Sequence, residues 1–470
     1  MKITLYVLAA AVGTVVLFVA GCTSNKPFRT NFRPCDPGQR SAGCTNPVIE
    51  STPDYKLGFV EFDDQGWFWD TNQKKAVEEL IRKEAGLDQS NNPQGIVMVA
   101  FDHGWKNNAA TNNDNVEMFR ATLKQLGAAE EVQTNHSPRK VVGVYMGWRG
   151  LSATLEPFKE TSFWERKSTA HKVGGYGAMT ELLVDLESLQ QESNDSLATN
   201  APRTELIIVG HSFGGAAVYS AISQIVTERF VDTIKHGKIL KPLGDQVILL
   251  NPAFEASRHY NLNQLAVSIA QYPANQRPVL SIFTSKGDWA THYAFPTGRF
   301  FSTFFEKNRD AKQREANWDA VGWFEPFVTH DLLYQTNANA SSGNKTLNVA
   351  TGTHELHNRG QLQRTISHVH EQRKKWHPNG PAAQTYDFDD TILKPREHYR
   401  PGDPFPIVSV DVSIMKDHDD ITNPVLINFL GEYILFCQNE QAAESIKTSA
   451  LSRQPKASAN PSPAVQVATH

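Results

Sequence analysis

Leu206-Ile207-Ile208-Val209-Gly210-His211-Ser212-Phe213-Gly214-Gly215-Ala216-Ala217-Val218-Tyr219 is the stretch that decides the fold. Its first four residues are a short, continuous apolar run, the pattern of a strand buried on both faces. Its last six start with two glycines and two alanines and continue as a helix to about residue 227. Ser212 stands where strand passes into helix. A sharp turn at that point strains the serine backbone, and its neighbours must be tiny so that strand and helix can pass each other. Gly210 and Gly214 meet that need. The helix N-terminus favours negative charge developing beside Ser212. A Gly-x-Ser-x-Gly pattern alone arises by chance roughly 0.1–0.2 times in a chain of this size, so the strand-to-helix context carries the reading. The alternative is a serine in a plain βα turn.

Outward from this turn, strands and helices alternate. Apolar strands are expected over 95–101, 141–146, 206–209, 247–250, 279–284 and 407–412. Helices are expected over 115–126, 214–227, 261–272 and 424–436, and in a long region ending near 191. Residues 58–62 and 67–69 read as a hairpin, and Asp70 or Thr71 as the cap of a helix to about 84 with Val77, Leu80 and Ile81 on one face. This is an α/β pattern: a mostly parallel central sheet with helices on both faces. Sites in such sheets lie beyond the carboxyl ends of the strands. About 289–406 breaks the rhythm and reads as a large insertion or cap before the last core strand, inside a domain spanning 56–437.

A serine hydroxyl needs a base to become a useful nucleophile. On this kind of turn, the acid and then the histidine follow the serine in the chain. Asp288, in Ser285-Lys286-Gly287-Asp288 after the 279–284 strand, is the favoured acid; Glu255, after the 247–250 strand, is its rival. His418 lies between the last strand and the last helix, where the base must be to face Ser212. His292, His330, His354 and His357 lack that chain position. An oxyanion needs two backbone N–H donors. Phe213 supplies one, and Trp105, in Asp102-His103-Gly104-Trp105, the other, with Gly104 as a near alternative. The Trp105 side chain would then line the acyl pocket.

The 210–215 turn, His103-Gly104-Trp105, Gly287-Asp288 and His418 together resemble the α/β-hydrolase superfamily on its lipase and esterase side, over roughly 56–290 and 405–437. Tyr145-Met146-Gly147-Trp148-Arg149-Gly150 resembles a segment of large exported or lipid-anchored hydrolases. The resemblance implies a serine hydrolase that cleaves carboxylic esters through an acyl-enzyme on Ser212, acting on a small-molecule or lipid ester, with no cofactor and no metal. A serine peptidase or acyltransferase on the same fold shares that intermediate. A non-catalytic surface-binding lipoprotein using the aromatic insertion is the alternative of a different class.

Residues 3–20 are nearly all apolar, behind Met1-Lys2 and before Val19-Ala20-Gly21-Cys22. This resembles a bacterial lipobox, which implies a signal peptide over 1–21 and lipid on Cys22. An uncleaved membrane anchor is the alternative. Thr23 after the cysteine resembles lipoproteins sent to the outer membrane, so the expected place is the bacterial cell envelope. Residues 22–55 read as a tether. Cys35 and Cys44 could close a small loop as a disulfide in an oxidising compartment, and Cys437 reads as a buried free thiol. Residues 438–470 read as a disordered tail. The 470 residues carry 46 basic and 50 acidic side chains, a net charge of -4, which is too balanced for a nucleic-acid binder.

Overall fold

The computed structural model describes residues 23–438 except 39–43, 89–91, 134–137, 153–157, 200, 236, 274, 304–305, 336–354 and 377–383. The signal peptide, Cys22, His354 and almost all of the expected tail therefore lie outside the described residues. Ile49–Ser51 (β1), Lys56–Glu61 (β2), Ile96–Asp102 (β3), Lys140–Gly147 (β4), Glu205–His211 (β5), Gln246–Leu250 (β6), Leu280–Ser285 (β7), His330–Tyr334 (β8), Tyr386–Phe388 (β9), Thr391–Pro395 (β10) and Ile407–Val410 (β11) form one sheet. Its order is β1-β2-β4-β3-β5-β6-β7-β11-β8-β10-β9. Strands β2 to β8 and β11 run parallel; β1, β10 and β9 are antiparallel to their neighbours at the two edges.

The apolar runs explain why this sheet is covered twice. In β3, Ile96, Met98 and Ala100 enter one core cluster, while Val97, Val99 and Phe101 enter the other. Successive side chains point to opposite faces, so an unbroken apolar strand needs helices on both sides. Thr71–Glu84 (α1), Phe158–Gly175 (α3), Ala178–Ser196 (α4) and Phe213–Lys235 (α5) contribute Val77, Val173, Leu182 and Ala216 to the first cluster. Asp114–Gln133 (α2), Glu355–Lys375 (α9) and Pro424–Cys437 (α10) contribute Phe119, Val369 and Phe429 to the second. Asp70 caps α1 by accepting the Asn72 N–H, as its sequence predicts. Cys437 is buried and free, and burial pushes its thiol up to about 12.

Three expectations change. The helix expected over 261–272 is Ala256–Val267 (α6), beginning directly after Glu255. The 67–69 strand reduces to a single bridge between Phe62 and Phe68. Within 289–406, Phe295–Ser302 (α7) and Ala311–Trp318 (α8) stand beside the carboxyl edge, but β8, β9 and β10 extend the sheet itself. Strand β11 is thus interior, flanked by β7 and β8.

The segment read as a tether is docked. Arg29 is fully buried: Nη1 donates to Glu50 Oε1 at 2.8 Å, Nε to the Ala109 carbonyl at 2.6 Å, and the guanidinium lies 3.6 Å from the Phe59 ring centroid. Glu61 accepts the Phe28 and Arg29 N–H groups, each at 2.8 Å. Cys35 and Cys44 are joined as a disulfide, with Cα atoms 5.8 Å apart. A buried charge needs its partners; these contacts hold Phe28 and Arg29 against β2, and Arg120 of α2 donates to Glu50 of β1. Among the described residues no helix is long and apolar enough to cross a membrane.

Candidate active site

Strand register sets the site. Asp102, His211, Leu250, Ser285 and Val410 end neighbouring parallel strands at one edge. The loops that follow them carry Gly104 and Trp105, Ser212, Asn251, Asp288 and His418. Ser212 has φ +56, the left-handed conformation that costs a non-glycine residue about 1–3 kcal/mol. Its N–H donates to the Leu250 carbonyl at 3.0 Å, and its own carbonyl accepts from Ala216 and Ala253. A side chain at Gly214 would lie 2.3 Å from the Asp102 carbonyl oxygen, and one at Gly210 would lie 2.8 Å from Gly215 Cα. The glycines therefore permit the crossing of strand, helix and the 102–105 loop.

His418 Nε2 lies 2.7 Å from Ser212 Oγ, and His418 Nδ1 lies 2.9 Å from Asp288 Oδ2. Burial lowers the His418 pKa, but the charge and hydrogen bond of Asp288 outweigh it and raise it above 6.5. Burial raises the Asp288 pKa, and His418 and Thr291 together overturn that and lower it. Thr291 donates its N–H to Asp288 Oδ1 at 3.0 Å and its hydroxyl to Oδ2, while Trp323 Nε1 donates to the Thr291 hydroxyl at 2.9 Å. Thr291 lies on a π-helix, Ala290–Ala294, directly after the acid.

Glu255 is engaged elsewhere. It meets Lys167 Nζ at 2.5 Å, Arg299 Nη1 at 3.0 Å and Arg258 Nε at 3.2 Å. Burial pushes its pKa up, yet the Lys167 and Arg299 charges pull it down to about 2. His292 stacks on Trp323 with ring centroids 3.7 Å apart, and His330 is buried in β8.

Sequence reading placed His211 in the nucleophile turn without a role for its side chain, and it missed Asn251. His211 is buried and neutral, its pKa lowered to about 4 by burial and by His418. Its Nε2 lies 2.9 Å from the His418 carbonyl, which only accepts, so Nε2 carries the proton. Asn251 Nδ2 donates to the same carbonyl at 2.9 Å, while its Oδ1 accepts the Ser285 N–H at 2.8 Å. Asn251 also adopts positive φ, +44, a conformation asparagine tolerates better than most residues. These two side chains brace the histidine loop against β5, β6 and β7. His211, His418 and Asp419 bring ligand atoms within 4.8 Å of one another. Within this group His418 Nε2 faces Ser212, His418 Nδ1 faces Asp288, and His211 Nε2 faces the His418 carbonyl.

The 102–105 loop passes over Ser212. A side chain at Gly104 would lie 2.8 Å from Ser212 Cβ. His103 Nδ1 lies 2.9 Å from the Gly104 carbonyl and Nε2 accepts the Trp148 N–H at 3.1 Å, which sets its tautomer and ties the loop to the end of β4. The Trp105 ring packs edge-on against Phe163, 5.1 Å between centroids, and Phe163 packs on Phe213 at 4.7 Å. The three aromatics form one packed group that includes Phe213, the residue after the serine, and Ser212 itself is 4% exposed. A groove of about 640 Å³ on the α5–α6 surface, lined by Tyr219, Ser223, Arg258 and Asn261, contains none of Ser212, Asp288 and His418.

Residues 185–294 match the family model described as "Alpha/beta hydrolase of unknown function (DUF900)". The chain has the α/β-hydrolase fold. The matched span contains the Ser212 turn, Glu255 and Asp288; the Trp105 loop and His418 lie outside it. No curated protein matches the chain.

Proposed function

We propose that this α/β-hydrolase fold is a serine hydrolase that cleaves carboxylic esters through an acyl-enzyme on Ser212. The observation that carries the reading is the close succession of Ser212 Oγ, His418 Nε2, His418 Nδ1 and Asp288 Oδ2, with separations of 2.7 Å to the serine and 2.9 Å to the aspartate. Ser212 attacks the ester carbonyl as His418 takes its proton. The Phe213 and Trp105 amides receive the oxyanion, and the alcohol leaves with the proton from His418. Water, activated by the same imidazole, then releases the acid. Asp288 keeps Nδ1 protonated and stabilises the imidazolium. In the same reading Cys22 carries lipid and holds the enzyme in the bacterial cell envelope.

The test is covalent labelling with a fluorophosphonate probe. Wild-type protein is expected to label and Ser212→Ala is not. Folded wild type that resists the probe overturns the reading.

A further inference from the structure

Thr23 is pinned to the carboxyl edge of the sheet. Its N–H donates to the Ser152 carbonyl at 2.9 Å and its hydroxyl to the Leu151 carbonyl, while Arg149 Nη1 reaches its own carbonyl at 3.4 Å. Those partners follow β4. Their loop is tied to the loop over Ser212: the Lys106 N–H donates to the Gly150 carbonyl at 3.0 Å, and the Gly150 N–H to the Asn107 carbonyl at 2.9 Å. Cys22 directly precedes Thr23 in the chain, so a lipid on Cys22 would be bonded to the neighbour of a residue held at this edge. The chain leading to Cys22 thus joins the described fold at the edge that carries the site.

The same edge presents aromatic side chains to solvent. Trp289 and Tyr293, immediately after Asp288, are 67% and 55% exposed, with ring centroids 6.5 Å apart. Phe300 on α7 is 44% exposed. Tryptophan and tyrosine, apolar rings with one polar atom, suit the boundary between bilayer and water.

We propose that this edge faces the membrane, held by lipid on Cys22 and by Trp289 and Tyr293, and that the substrate is an acyl ester residing in that bilayer. The proposal rests on the readings that Cys22 is lipidated and that Ser212 is the nucleophile. A lipid anchor and a second contact act together where one alone binds weakly. Holding Thr23 at the edge that carries Ser212 sets the orientation as well as the attachment. Each turnover takes one ester and one water and yields one acid and one alcohol.

The experiment uses full-length lipidated protein in phosphatidylcholine–phosphatidylglycerol vesicles. An environment-sensitive fluorophore is attached at Tyr293→Cys or, as the control, at Lys241→Cys, an exposed position that precedes β6 at the opposite edge. The native cysteines other than Cys22 are disulfide-bonded or buried. Brominated lipid is expected to quench the label at 293 at least threefold and to leave that at 241 unchanged. Equal quenching at both, or at neither, on vesicle-bound protein overturns the orientation. A long-chain p-nitrophenyl ester in the protein's own vesicles should turn over at least tenfold faster than the same ester in vesicles added separately; equal rates overturn the substrate assignment. N-terminal mass spectrometry and fluorophosphonate labelling of the same sample report the two underlying readings separately. An unmodified Cys22 overturns the first reading and this proposal with it, whereas an unlabelled Ser212 overturns the second and leaves the orientation to the quenching result.

Discussion

Replacing Gly104 with alanine puts one methyl group against both halves of the site. It would lie 2.8 Å from Ser212 Cβ, 3.1 Å from His211 Nδ1 and 3.4 Å from His211 Cε1. Ordinary contact begins near 3.4 Å, so about 0.6 Å must be taken up at Ser212. Neither neighbour yields easily. Ser212 is held at φ +56 by three backbone hydrogen bonds, and His211 is wedged by its bond to the His418 carbonyl. Pushing on His211 also pushes on the loop that carries the base. A misplacement of about 1 Å costs on the order of 10²-fold in rate. We therefore expect Gly104→Ala to lose about 10- to 100-fold in kcat/KM, or roughly 1.4–2.7 kcal/mol of transition-state stabilisation. Overpacking should cost about 1–3 kcal/mol of stability, so the protein remains folded. The assay is p-nitrophenyl acetate turnover beside the rate of fluorophosphonate labelling, with thermal melting as the control for folding. A folded variant within twofold of wild type on both measures would refute the claim that this loop packs against the nucleophile.

The pH profile carries its own sign. His418 must be neutral to accept the Ser212 proton, so activity should fall as pH drops through a pKa held above 6.5. In Asp288→Asn the raising charge is gone: the limb should move to lower pH and the plateau fall by about 10⁴. A limb that stays in place would mean that another group tunes the base. Asn251→Ala removes donors to the His418 and Asp417 carbonyls and leaves an alanine at positive φ. We expect about 1–3 kcal/mol lower stability and a kcat down roughly tenfold with KM little changed; a loss confined to KM would argue against positioning. Glu50→Gln strips the charged partner from buried Arg29 and one of two carboxylates from half-buried Arg120, and should lower unfolding free energy by about 3–5 kcal/mol in denaturant titration. An unchanged midpoint would show that the docked N-terminal segment adds nothing to the fold.

The sheet was legible because its signal is local. Continuous apolar runs such as 206–209 and 247–250 mark strands covered on both faces, and the chain order of those strands puts Ser212, Asp288 and His418 in loops at one edge. The 289–406 segment was harder. Its strands are short and half-exposed, as in the alternating burial of β8, so they lack the unbroken apolar pattern of the core.

What sequence determined unaided is the turn at Ser212: small residues on either side of a serine, between a buried strand and a helix, leave one way for the backbone to run. Tertiary structure alone decided which acid meets His418. Asp288 and Glu255 both follow core strands, but β7 lies beside β11, and that pairing carries residue 288 to residue 418. Glu255 instead meets cations from α3, α6 and α7. The same holds for His211 and Asn251, which brace a carbonyl more than 160 residues away, and for Arg29, whose burial turns an apparent tether into part of the domain. Periodicity and turn chemistry act over a few residues and can be read along the chain. Ion pairs and hydrogen bonds between distant residues depend on which strands become neighbours.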